Sequence, residues 1–233
     1  MTKTLMAYDM LPGDVLVKLG GLDFKDDSLK LSDKMATGGI IALQTLRKYT
    51  NPLSLFRSDQ ASHSHIAMYA GDGKVLEEGS KGMENRLASA VKYIVYRYQD
   101  QTIAEKAVKL MLRWHKSGDS YYHTYGIGNF PGILLGASNY GPGARLEPFL
   151  SKNVLRTKGM VCSEAVIKSY QLAAKRLKRK PQSVVALHAS KTSPMRFSRY
   201  MKKSDLWKRV GIVDRNTLMH ASVYGDMPSL SFV

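Results

Sequence analysis

Asp72-Gly73, set between the apolar runs His65–Ala70 and Lys74–Glu78, constrains this chain more than any other pair of residues. Both residues tolerate positive φ, and flanking strand patterns make such a pair the strongest short-range signal for a β-hairpin. The chain is therefore committed to an antiparallel pair of strands. Alternation along the first strand sends His65, Ala67 and Tyr69 to one face and Ile66, Met68 and Ala70 to the other. The register of the second strand stays open. A three-residue loop, Gly71 to Gly73, sets Glu77 opposite Ala67 and on the face of His65; a two-residue loop sets Glu78 there instead. A one-residue slip exchanges the two acids.

The rest of the chain supplies partners for that hairpin. Leu11-Pro-Gly-Asp-Val-Leu-Val-Lys18 reads as a turn and a short buried strand, and Ala90–Tyr98 alternates and is rich in β-branched and aromatic residues. Gln101–Lys116 carries Ile103, Ala107, Leu110, Met111 and Trp114 on one helical face. A short helix is expected within Gly39–Tyr49, a turn and helix within Ala189–Tyr200, and a closing strand at Leu206–Val213. Residues 117–158 form a loop-rich insertion full of Gly, Tyr and Pro. Its Tyr121, Tyr122 and Tyr125 either line a cleft or serve as packing. With no repeat, linker or composition break, residues 1–233 read as one α+β domain.

Cys162 is the only cysteine, so no intramolecular disulfide exists and the fold rests on packing. It lies in Gly159-Met-Val-Cys-Ser-Glu-Ala-Val-Ile-Lys-Ser-Tyr170, where a glycine break is followed by a buried helical pattern through Ala165, Val166, Tyr170 and Ala173. A helix start favours negative charge and with it the reactive thiolate. The bland alternative is an inert core cysteine. A cysteine hydrolase also needs an imidazole within hydrogen-bond reach and a third group to orient it. His65, with Glu77 one hairpin away, offers both.

Other chemistries are less well served. His63-x-His65 with His115 or His123 would make a zinc site, but no paired-cysteine or His-Glu-x-x-His spacing accompanies them. Gly136-Ala-Ser-Asn-Tyr140 lacks the second glycine of a serine-hydrolase elbow, and Gly73-Lys74 lacks the rest of a phosphate loop. His188 and His220 are isolated. Glu164 in the first helical turn is a substrate-binding candidate, although the helix dipole alone accounts for an acid there. No metal or other cofactor is expected.

His65-Ile-Ala-Met-Tyr69, Gly71-Asp-Gly73 and Val75-Leu-Glu77 resemble the papain-like cysteine hydrolases of the NlpC superfamily. In these a His-Val-Gly-Ile-Tyr strand turns through an Asn/Asp-Gly loop into a strand bearing the third catalytic residue, also twelve positions on. Leu11-Pro-Gly-Asp-Val-Leu16 is similar to a Pro-Gly-Asp strand common in that group. Histidine and acid precede Cys162-Ser-Glu164, the reverse of the ordinary order, which resembles the circularly permuted branch. The resemblance implies an antiparallel sheet packed against the cysteine-bearing helix. It further implies Cys162 as nucleophile, His65 as general base and acid, and Glu77 as orienting group in place of the usual histidine or asparagine. The implied substrate is an amide bond in the peptide stems of peptidoglycan, attacked through a thioester. A neighbouring branch acts on lipids as hydrolase or acyltransferase with the same triad, and a non-enzymatic polyanion-binding module is a third expectation.

Charge bears on the partner. The formal net charge is +16, and residues 151–210 hold sixteen Lys or Arg against Glu164 and Asp205, a local net of +14. An anionic wall polymer or lipid headgroups would suit such a segment. Nucleic acid is not the expected partner, because no zinc-finger spacing or aromatic RNA-binding motif accompanies the charge. The N-terminal residues show no apolar signal region, so the chain is expected to be soluble as made. A wall hydrolase of this kind would act in the periplasm of a target cell as an antibacterial effector. It would then be delivered by secretion machinery and met by an immunity protein.

Overall fold

The structure, a computed structural model, describes residues 4–5, 9–19, 65–79, 82–85, 92–116, 162–189 and 192–213. The expected helix at Gly39–Tyr49 and the 117–158 insertion lie outside these residues. The fold is α+β, as the sequence pattern predicts. Its sheet has strands β1 (Val15–Lys18), β2 (Ile66–Gly71), β3 (Lys74–Gly79), β4 (Gly82–Asn85), β5 (Tyr93–Tyr98) and β6 (Trp207–Val213). They run in the order β4-β3-β2-β1-β5-β6, and every neighbouring pair is antiparallel.

The β2–β3 hairpin closes on a two-residue turn, Asp72-Gly73, with φ of 51° and 69°. Positive φ at both central positions is what a type I′ turn requires, and Asp-Gly supplies it cheaply. Gly71 pairs with Lys74 across it, yet Tyr69 pairs with Val75 and Ala67 with Glu77. One residue, Ala70, is therefore bulged out of the ladder. The bulge produces the register expected of a three-residue loop from a two-residue one, and Glu77 rather than Glu78 stands opposite Ala67. The Gly73 N–H donates to the Tyr69 hydroxyl at 3.1 Å and fastens the tip to the strand.

β1 is seated between β2 and β5 by its entry turn. Gly13 has φ of 96°, and a Cβ there would lie 2.6–2.9 Å from atoms of Ala104, so no other residue fits without displacing the backbone behind it. Asp14, buried beside it, accepts two hydrogen bonds from Arg97 of β5, Nε to Oδ1 at 2.8 Å and Nη2 to Oδ2 at 2.7 Å. The Leu11 N–H also donates to this carboxylate, at 2.9 Å. A bidentate pair of this kind fixes orientation as well as distance.

Helix α1 (Gln101–Lys116) and helix α2 (Cys162–Arg176) pack on one face of the sheet. Ile103, Ala107 and Met111 of α1 and Val166, Tyr170 and Ala173 of α2 join Ile66 and Met68 in one buried cluster. Each large side chain of this kind contributes about 1.5–3 kcal/mol on leaving water. The opposite face carries a second buried cluster of Leu5, Leu16, Ala67, Tyr69, Tyr93 and Val95. Alternation along β2 thus separates two cores rather than a core from solvent.

α2 is buried on every side until its last turn, and most of its buried polar groups are bonded accordingly. Ser163 donates to the Thr192 carbonyl at 2.6 Å, and Gln171 donates to those of Val185 and Leu187 at 2.9 and 2.8 Å. Tyr170 donates to the Gly13 carbonyl at 2.5 Å, tying α2 to the turn before β1. The helix ends in a Schellman arrangement: Lys178 N–H to Lys175 O at 3.0 Å and Arg179 N–H to Ala174 O at 2.9 Å, with Lys178 at φ of 58°. Helix α3 (Pro194–Lys203) starts on the Ser193 side chain, which accepts from the Arg196 N–H at 3.3 Å. Among the described residues no helix is long and apolar enough to cross a membrane.

Candidate active site

Three elements bring three side chains to one end of the sheet. Cys162 is the first residue of α2, where the leading N–H groups have no intrahelical acceptors. His65 stands one residue before β2, and its carbonyl accepts the Lys18 N–H at 3.0 Å, which holds the backbone at the sheet end. Glu77 lies in β3, brought opposite Ala67 by the Ala70 bulge.

His65 Nε2 and Glu77 Oε2 are 2.8 Å apart. The carboxylate is nearly enclosed, with 6% of its side chain exposed, while 22% of the imidazole side chain is exposed. His65 is also hydrogen-bonded to the Cys162 side chain. Burial works to lower the pKa of the ring, but the charges of Cys162 and Glu77 and the hydrogen bonds to both outweigh it, raising the value from 6.5 to about 10. Both neighbours therefore favour the protonated form of the ring. Cys162 itself is 1% exposed, so the open side of the cluster is that of the imidazole.

Of the other sequence candidates, Glu164 is 1% exposed and its carboxylate lies 2.5 Å from Lys168 Nζ, also buried. Two positions beyond Cys162 on a helix, it faces away from the thiol's side. It is engaged inside the fold. Tyr121, Tyr122 and Tyr125 lie outside the described residues, as do His63, His123 and His220. His115 is in the last turn of α1. Among the described residues no group of three or more His, Cys, Asp or Glu side chains is assembled to hold a metal ion.

Several structural residues around the site escaped the sequence reading. Lys168 was findable as the i,i+4 partner of Glu164. The Ser163–Thr192 and Asp14–Arg97 bonds join positions 29 and 83 apart, and no local pattern marks them. Comparison with family models, curated proteins and solved structures gives no match to this chain.

Proposed function

We propose that this chain is a cysteine hydrolase of the papain-like, permuted NlpC type, cleaving amide bonds in the peptide stems of peptidoglycan. The observation that supports it is one imidazole bonded to both the lone thiol and a buried carboxylate, with His65 Nε2 2.8 Å from Glu77 Oε2. Thiolate, imidazolium and orienting acid are the three parts that acyl transfer through sulfur needs.

In this reading Cys162 Sγ attacks the carbonyl carbon, and the C–O π pair moves to oxygen. The Cys162 N–H and a neighbouring N–H at the helix start receive that oxyanion. Collapse breaks the C–N bond as His65 gives its proton to the departing amine, leaving a thioester and a neutral ring. Water then attacks the thioester carbonyl while His65 takes one of its protons. The C–S bond breaks, the carboxylic acid leaves, and thiolate and imidazolium are restored. Glu77 holds the ring orientation and balances its charge throughout. The substrate class is carried by the resemblance of the hairpin and Cys-Ser-Glu motifs. With it come the periplasm of a target cell as the place of action, secretion machinery for delivery and an immunity protein in the producer.

Digestion of purified peptidoglycan is the test. The wild type is expected to release new amino termini, and Cys162→Ala none. Fatty-acid release from vesicles with no wall digestion would move the substrate to lipid. Full activity in Cys162→Ala would end the enzymatic reading.

A further inference from the structure

The sheet has two ends, and chemistry differs between them. At one, Lys18 pairs with Tyr93 beside His65. At the other, Tyr98 pairs with Trp207 and the Gln99 N–H donates to the Leu206 carbonyl at 3.0 Å. Arg179 is ion-paired with Asp100, which precedes α1, so the C-terminal end of α2 is fastened at this second end. The 15 residues of α2 put its last turn about 21 Å from Cys162.

Lys175, Arg176, Lys178, Arg179 and Lys180 are all exposed there. Lys202 and Lys203, in the last turn of α3, and Lys208, at the start of β6, are exposed at the same end. Within 175–180 and 202–209 the one acid is Asp205, and Asp100, also at this end, is paired with Arg179. Helix dipoles account for cations in the last turns of α2 and α3. They do not account for Lys178 and Lys180 beyond α2, or for Lys208 on a strand. Lys178 moreover occupies a left-handed position, φ 58°, where glycine would avoid the steric cost of a Cβ.

We propose that this basic end is a docking surface for an anionic lipid bilayer. Six of these eight cations are lysines, point charges suited to a diffuse field rather than to bidentate reading of one group. They come from the end of α2 and the segment after it, the end of α3 and the start of β6, so no single stretch of chain supplies them. No exposed aromatic side chain is present among the described residues for stacking bases, and Leu11 is the only exposed large hydrophobic among them. Adsorption through this end is therefore electrostatic, with no apolar wedge among the described residues. Docked this way, the molecule presents Cys162 away from the lipid and toward what lies above the bilayer. This orientation rests on the wall-hydrolase reading for its use, and it turns the site away from the acyl chains of the membrane it sits on.

The experiment is flotation of the whole protein with vesicles of phosphatidylglycerol and phosphatidylcholine, against phosphatidylcholine alone, over a range of salt. Salt-sensitive binding to the anionic vesicles alone is expected. Lys178→Gln/Lys180→Gln/Lys203→Gln should weaken it on the order of a hundredfold, at ~1 kcal/mol per surface cation. The matched variant Lys92→Gln/Arg113→Gln/Lys116→Gln should bind as wild type does. Both variants should digest dispersed wall at the wild-type rate. Equal binding by the two variants, binding to neutral vesicles, or tight binding to duplex DNA without vesicle binding would overturn the proposal. Fatty-acid release from the bound vesicles would overturn the orientation. A wild type that binds anionic vesicles through these lysines but digests no wall would support the docking surface while sinking the hydrolase reading.

Discussion

At His65 three influences compete over one proton: burial, which expels it, and the Cys162 and Glu77 charges, which retain it. Removing either acidic neighbour should shift the balance. By NMR the wild-type ring is expected to stay protonated through neutrality and titrate near pH 10, with Glu77→Gln and Cys162→Ala both moving the midpoint down. An unchanged midpoint in both variants would sink the triad geometry. The same raised value links folding to pH. The extra stability is fully present below pH 6.5 and lost as pH rises toward 10. Thermal melts across that window should fall more steeply for wild type than for His65→Ala. In the wall assay His65→Ala is expected to cost on the order of 10²–10⁴-fold.

Among the elements, the turn before β1 and the start of α2 carry the tightest packing requirements. Gly13→Ala pairs an unfavourable φ with a Cβ inside Ala104, and should cost about 2–4 kcal/mol in urea unfolding. The Glu164–Lys168 pair makes a contrasting test. Removing either partner takes an ion pair from a buried charge and should cost about 3–5 kcal/mol, whereas replacing both with apolar residues of similar volume should recover most of it. These features also mark what could be read from residues alone. Helix α1 was legible to its ends because its apolar positions repeat at 3.6. The hairpin, β5 and β6 were legible through alternation and turn chemistry. The insertion of β1 between β2 and β5, the bulge at Ala70 and the second core were not. Each depends on contacts between segments far apart in the chain, or on one residue leaving a ladder whose partner is unknown beforehand. Cys162 and His65 were legible as candidates; that they meet is a product of topology.

For the whole molecule, a net charge of +16 means that the folded chain repels itself, and the exposed lysines at the ends of α2 and α3 and the start of β6 share in that repulsion. Raising salt from about 10 to about 150 mM shortens the Debye length from ~30 Å to ~8 Å. The melting temperature should rise over that range, and less so in Lys178→Gln/Lys180→Gln/Lys203→Gln. A melting temperature indifferent to salt would mean that the cations are already neutralised within the fold.

The bulged Ala70 has a genetic corollary. Deleting that single codon would straighten the ladder and leave Glu77 across from Ala67, whereas losing one codon of β3 ahead of Glu77 would bring Glu78 there. Because two glutamates stand in succession, the frame of the hairpin can shift by one position and still bring forward an identical functional group. Lineages carrying small insertions or losses at this tip would therefore keep an acid behind the ring, a built-in redundancy that two adjacent codons encode.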